Sequence, residues 1–306
     1  MAQLETSLIV PPFGEVNVFN EPSGLLVKAF ILLPPPQVEG AQTGLAIDGS
    51  NSMLPLYGAS VPPLFRRPES NIVQPVARMM AEYLAKFDAD GKTTVIHWAC
   101  GLGDSLEILG DMCAEQVRSF RFNEPKSPGK GTRLLPAVQY FADERFPDAP
   151  WGIYVFITDG IIEDLEQVKE YSLKIGRELA NGKRGFIKFV LIGLGSAIDE
   201  DQMIELDDLD YEGLVRPNGD PVDLWDHTSA AEMTSLDQIF KECVSSQTMI
   251  LPSAQVTDST GRPVRPLGDR SFADGLPALI EFYAASEATS FTLTLPDGTS
   301  FTQPLK

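Results

Sequence analysis

Between residues 43 and 195, short and nearly unbroken apolar runs alternate with amphipathic stretches. TGLAID (43–48), TVIHWA (94–99), GIYVFIT (152–158) and FIKFVLIGLG (186–195) keep apolar residues at successive positions, so both faces of each strand expect burial. Residues 72–87 set Val76, Met79, Met80, Tyr83, Leu84 and Phe87 at helical spacing. Residues 163–180 do the same with Leu165, Val168, Ile175 and Leu179, and Glu163 and Asp164 stand where a helix dipole favours acids. Residues 133–145 read as helix, VDLWDH (222–227) as a last short strand, and 235–244 as a closing helix. Doubly buried strands separated by helices predict a parallel sheet covered on both faces.

The ends of the chain have a different texture. SLIV, VNVF and GLLVKAFILL before residue 34, and TMILPSAQV, LPALIEFYA, TSFTLTLP and TSFTQ after 247, are short strands broken by turn residues. Pro34-Pro35-Pro36 stops the first group, since consecutive prolines cannot continue a ladder. Pro296-Asp297-Gly298 marks a hairpin between the last two strands. The flanks together hold about 100 residues, the usual size of a β-sandwich. The expected organisation is therefore 1–42 and 246–306 as two parts of one sandwich, with 43–245 inserted between them; the alternative is two separate small strand clusters packed on the middle domain. The segment 54–70, LPLYGASVPPLFRRPES, reads as a long irregular loop of the kind that often carries function.

The acidic balance narrows the partners. Lys and Arg total 24 against 43 Asp and Glu, a net charge of −19, which repels phosphate backbones and anionic lipid. Cys100, Cys113 and Cys243 make an odd count with no CxxC, which fits a reducing compartment better than a disulfide framework. MAQLETSLIV has neither the basic nor the long apolar region of a signal peptide, and no apolar run is long enough to span a membrane. A soluble cytoplasmic protein is expected, with a protein or a cation as partner and neither nucleic acid nor membrane.

The chemistry concentrates at the ends of the apolar strands. Asp48-Gly49-Ser50-Asn51-Ser52 follows the first, Thr158-Asp159-Gly160 follows the third, and Gly129-Lys130-Gly131-Thr132 lies between them just before a helix. In open sheets of this kind ligands collect at the C-terminal strand ends, so three loops distant in sequence can converge. Oxygen-only donors from carboxylates and hydroxyls select hard divalent cations over zinc. Asp48, Ser50, Ser52, Thr132 and Asp159 also match, in order, the metal-ion-dependent adhesion site of the von Willebrand factor type A family, which residues 43–245 resemble. That resemblance implies a doubly wound, mostly parallel, Rossmann-like α/β fold. It implies a bound divalent cation, Mg²⁺ first with Mn²⁺ or Ca²⁺ as alternatives, whose open position takes a Glu or Asp from a partner protein. It further implies a non-enzymatic binding module for multiprotein assembly. Segment 54–70 departs from the family, which runs straight into its first helix.

Other candidates carry less. His97 and His227 are the only histidines and belong to no zinc motif; His97 reads as a strand residue with a satisfied hydrogen bond. Gly91-Lys92-Thr93 lacks the earlier glycine of a phosphate loop, and Gly193-Leu194-Gly195 lacks the third glycine of a dinucleotide site. The acidic run from Glu205 to Glu212 lacks calcium-loop spacing and reads as a solvated helix end. Phe65, Arg66 and Arg67 are placed to meet an acidic partner if the loop folds over the strand ends. The rival functions are a Mg²⁺-dependent hydrolase of phosphate esters and a scaffold with a vestigial site.

Overall fold

The structure is a computed structural model that describes residues 2–3, 8–31, 40–59, 71–195, 198–217, 219, 221–229, 249–251, 253–267, 271–277 and 279–305. The chain divides into two units, one of residues 1–36 and 235–306, the other of residues 37–234. The first boundary falls six residues, and the second eleven residues, before the one read from the sequence. The helix expected at 235–244 and the side chains of Phe65, Arg66 and Arg67 lie outside the described residues. Among the described residues no helix is long and apolar enough to cross a membrane.

The N-terminal flank contributes β1 (Ala2–Gln3), β2 (Phe13–Glu21) and β3 (Gly24–Ile31), paired antiparallel in that order. Gly24 closes the β2–β3 turn at φ +131, and a side chain there would stand 2.5 Å from the carbonyl oxygen of Ala284. The position demands glycine twice over, by backbone angle and by space.

The second unit is built on six strands. These are β4 (Gln42–Asp48), β5 (Lys92–Cys100), β6 (Ser105–Cys113), β7 (Trp151–Thr158), β8 (Phe186–Gly193) and β9 (Trp225–Ser229). Their spatial order is β6-β5-β4-β7-β8-β9. All neighbours are parallel except β5 and β6, which are antiparallel. The turn from Gly101 to Asp104 joins that pair and is too short for a parallel crossover. Among the described residues five helices accompany the sheet: α1 (Val73–Phe87), α2 (Ala114–Ser119), α3 (Leu135–Gln139), α4 (Leu165–Ala180) and α5 (Glu200–Asp207). A π-helical turn, Tyr140–Arg145, extends α3. Ala46, Trp98, Tyr154, Phe156, Phe189 and Trp225 form one core with Phe141, Val168, Ile175 and Leu206 from these helices. On the opposite face Thr43 donates from its hydroxyl to the Leu84 carbonyl of α1, 3.2 Å away. Thr43 N–H also donates to the Asp88 carboxylate at the end of that helix.

The C-terminal flank supplies β10 (Met249–Leu251), β11 (Gln255–Asp258), β12 (Arg265–Pro266), β13 (Leu276–Pro277), β14 (Leu279–Ala284), β15 (Ser290–Thr294) and β16 (Ser300–Pro304). β14 pairs with β3, Ile280 opposite Ala29, so strands from the two ends of the chain share one sheet, β1-β2-β3-β14-β12. β11-β15-β16 form a second sheet, and β10 with β13 a small third. Alternation in β14 buries Ile280, Phe282 and Ala284, and in β15 buries Phe291 and Leu293. Phe291 meets Phe282 at 5.1 Å and Phe13 at 5.0 Å between ring centroids, both edge-on, which packs the two larger sheets face to face.

The fold class read from the sequence needs correction. Strand outweighs helix among the described residues, 36% against 26%, and three of the four sheets contain only antiparallel pairs. The central sheet is itself mixed, with an antiparallel edge at β6. The chain is thus β-rich, one mixed sheet with three antiparallel ones, and not a doubly wound α/β protein. The reason is local: hairpin turns dominate the flanks, and the tight Gly101–Asp104 turn imposes the reversed edge strand.

Candidate functional site

The order β6-β5-β4-β7-β8-β9 makes the chain change its direction of travel at β4. From β4 it steps outward to β5, then returns to the other side of β4 as β7. The loops leaving β4 and β7 therefore diverge and leave a crevice at their C-terminal ends. Asp48 ends β4 and Asp159 follows β7, so the two carboxylates flank that crevice.

Backbone hydrogen bonds tie the loops together. Ser50 bridges Gly129 in parallel fashion, with Asn51 N–H donating to the Gly129 carbonyl at 2.8 Å and Gly129 N–H to the Gly49 carbonyl at 2.9 Å. Lys130 N–H donates to Gly101 O and Arg133 N–H to Gly103 O, both at 3.1 Å. Glu163 N–H donates to the Thr132 carbonyl at 2.9 Å, joining this loop to the one after β7. The Gly129 backbone presses so close to β5 that a Cβ would lie 1.6 Å from the Ala99 carbonyl oxygen.

The side chains form two short hydrogen-bonded runs. Asp48 accepts from Ser50 N–H on Oδ1 and from the Thr158 hydroxyl on Oδ2, each at 2.7 Å. Ser50 and Ser52 hydroxyls share a hydrogen bond at 2.8 Å, and Ser52 donates to Asp159 Oδ1 at 2.9 Å. The Tyr57 hydroxyl donates to the Asp48 carbonyl at 3.0 Å. Thus Asp48, Ser50, Ser52 and Asp159 meet, while Thr132 is buried on the adjoining loop. Thr158 and Tyr57 were missed as partners. Thr158 stood in the quoted T-D-G run, whereas Tyr57 lies in a proline-rich segment without periodicity.

Electrostatically the site is unbalanced. Asp48 is fully buried, and burial pushes its carboxyl up to about 6 against the lowering from Ser50 and Thr158, with Asp159 raising it further. Burial also raises Asp159, opposed by the Ser52 hydrogen bond. No lysine or arginine among the described residues offsets either charge. Tyr57 is held well above the ordinary phenol range, first by burial and then by Asp48 and other nearby acids. Two buried carboxylates, hydroxyl oxygens and no cationic side chain fit a hard divalent cation by donor chemistry.

The remaining candidates are dispersed. His97 is a buried β5 residue whose two ring nitrogens both lack hydrogen-bond partners among the described residues, which corrects the satisfied histidine expected from the sequence. Its ring meets Tyr57 edge-on at 6.0 Å. His227 Nδ1 lies 2.6 Å from Asp207 on the far side of the sheet order, beside α5. Glu205 pairs with Lys169 at 2.8 Å, so part of the acidic run is engaged. Lys92 begins β5 and Gly91 forms the preceding turn, at the opposite end of the strand from the crevice.

No family model and no curated protein matches the chain. The solved structures it resembles include the pilus adhesin SpaC from Lactobacillus rhamnosus GG, at 11% identity and a TM-score of 0.39, covering 96% of this chain and 48% of that one. The same adhesin in an open conformation gives 10% identity and 0.39, covering 95% and 47%. The chain spans about half the length of these structures, and overlap this loose carries no argument about its role. The resemblance to the von Willebrand factor type A family does not become membership. No family model supports it, and among the described residues no group of three or more His, Cys, Asp or Glu could hold a metal ion. Of the five matched positions two are carboxylates, and the side chains of four are hydrogen-bonded within the loops.

Proposed function

We propose that the crevice at the ends of β4 and β7 holds a divalent cation and serves to bind a protein partner through a carboxylate. The observation that carries this reading is the pair of buried carboxylates, Asp48 and Asp159, with no neutralising side chain among the described residues. Burying unpaired negative charge is costly, and a cation is the simplest group that offsets it. Asp48 and Asp159 would supply the charge, and Ser50, Ser52 and Thr132 the neutral oxygens. A divalent cation held there would offer a positive centre to a Glu or Asp of the partner. The work of the chain is to fix the donors. Gly129 locks the Thr132 loop to the Ser50 loop, Thr158 orients Asp48, and Tyr57 clasps the end of β4.

The test is calorimetric titration of the EDTA-treated protein with Mg²⁺, Mn²⁺ and Ca²⁺, beside Asp48→Ala and Asp159→Ala. One saturable site lost in both variants is expected. Heat that survives either substitution, or no heat with any of the three ions, would sink the reading.

A further inference from the structure

Beside the crevice lies a cavity of about 400 Å³, lined by Asp104, Arg133, Gln139, Glu163 and Gln167 among others. One peptide bond and one hydrogen bond join it to the site already described. Arg133 follows Thr132, and Glu163 N–H is bonded to the Thr132 carbonyl. Two of the most exposed large apolar side chains in the molecule stand on the same loops: Leu102 at 73% and Ile161 at 59%. Leu102 sits in the turn that accepts hydrogen bonds from Lys130 and Arg133; Ile161 lies between Asp159 and Glu163. Folding does not require a leucine and an isoleucine to face water on adjacent loops, whereas covering them by a partner would remove apolar surface from solvent.

The charge of the lining selects the occupant. Asp164 is spent, since its carboxylate accepts from Leu134 N–H at 2.8 Å and Leu135 N–H at 3.0 Å. Asp104 and Arg133 hold each other only loosely, at 3.6 Å. Glu163 is exposed and has no ion pair among the described residues; its carboxylate lies over Gly131, where a Cβ would stand 2.6 Å from Oε2. The glycine leaves that carboxylate room to face the cavity. We propose that this cavity receives a lysine or arginine side chain of a protein partner, with Leu102 and Ile161 covering apolar residues beside it. The pocket works without the cation; the proposed cation site adds only that the same partner segment also carries an acid.

Panning a displayed random-peptide library against the whole protein tests this, once in EDTA and once with Mn²⁺. The expected peptides in EDTA carry Lys or Arg next to an apolar residue. Their affinity should fall at least tenfold in Glu163→Gln combined with Asp104→Asn, and several-fold in Leu102→Ser, whose exposed position leaves the fold intact. Peptides without a basic bias, affinities unmoved by Glu163→Gln, or no enrichment in either arm would overturn the pocket. An added preference for Asp or Glu in the Mn²⁺ arm belongs to the cation site, so its absence beside a retained basic bias sinks that site alone.

Discussion

Asp48 and His97 lie on neighbouring strands and respond to acid in opposite senses. Burial raises the Asp48 carboxyl from 3.8 to about 6. The folded state then holds the proton over a range where the unfolded state has released it, so stability falls as pH rises through about 4 to 6. Burial lowers the His97 imidazole from 6.5 to about 4, with Glu107 opposing. There the unfolded state takes the proton first, so stability is lost as pH falls from about 6.5 to 4. At about 1.4 kcal/mol per unit, each effect is about 3 kcal/mol, and the two nearly cancel between pH 4 and 6. Removing one exposes the other. In EDTA, His97→Leu should gain stability relative to the parent on going from pH 7 to pH 4, by about 2–3 kcal/mol. Asp48→Asn should lose a similar amount over the same range. Urea unfolding at the two pH values measures both, and parallel pH profiles for His97→Leu and the parent would refute the account. At pH 7 in EDTA, Asp48→Asn should also be no less stable than the parent, because it removes an unpaired buried charge. The parent alone should then be stabilised by cation, by about 2.7 kcal/mol at a concentration 100 times Kd. A cation-induced rise in the asparagine variant would contradict the assignment.

The loops of the crevice depend on one glycine more than on any donor. A Cβ on Gly129 would fall 1.6 Å from the Ala99 carbonyl oxygen, a backbone atom, and Ala99 already holds φ at +55. Gly129→Ala must therefore push the Thr132 loop off β5, at a cost of about 1–3 kcal/mol by analogy with overpacked cores. Gly160→Ala is the control, since its Cβ meets only Ser52 Oγ, at 3.6 Å. The first variant should lower the urea midpoint and lose cation binding, and the second should keep both; equal behaviour would mean that the loops are not locked through Gly129. The elements around these loops were largely legible. The apolar runs at 94–99 and 152–158 lie within β5 and β7, and the periodic stretch 72–87 coincides with α1 to within a residue. Edge strand β6 was not legible, because Ser105, Ile108 and Asp111 face solvent, Met112 alone is buried and the other positions are half-covered, so neither a buried run nor clean alternation marks it. Helix α5 was missed for a related reason: only Met203 and Leu206 are buried, too few to set a period. At the site, residue order and strand ends pointed to Asp48, Ser50, Ser52 and Asp159. The helper Tyr57 and the unpartnered state of His97 depend on packing that no spacing records.

At the scale of the whole chain, the outer unit is closed by pairing across the inner one. β3 joins β14 only after the chain has passed through residues 37–234. If those residues are unfolded, closing a loose loop of about 200 residues costs about 5 kcal/mol at (3/2)RT ln n. If they are folded, much of that disorder has already been removed. The coupling is reciprocal, since a closed sandwich also pins the ends of residues 37–234 and removes disorder from their unfolded state. Phe141 and Phe282 are matched probes, each fully buried. Phe141 stacks on Tyr154 at 5.0 Å within the inner unit, and Phe282 packs edge-on against Phe291 at 5.1 Å in the sandwich. Truncating either to alanine removes about 3–5 kcal/mol locally. All three tryptophans, Trp98, Trp151 and Trp225, lie in the inner unit, so their fluorescence reports that unit alone. Phe141→Ala should lower the tryptophan transition and also weaken hydrogen-exchange protection of the β3–β14 ladder at Ala29 and Ile280. Phe282→Ala should weaken that ladder and lower the tryptophan transition by less, because only the loop-closure part of its effect, at most about 5 kcal/mol, reaches the inner unit. A tryptophan transition that moves as far in Phe282→Ala as in Phe141→Ala would mean that the two units unfold as one.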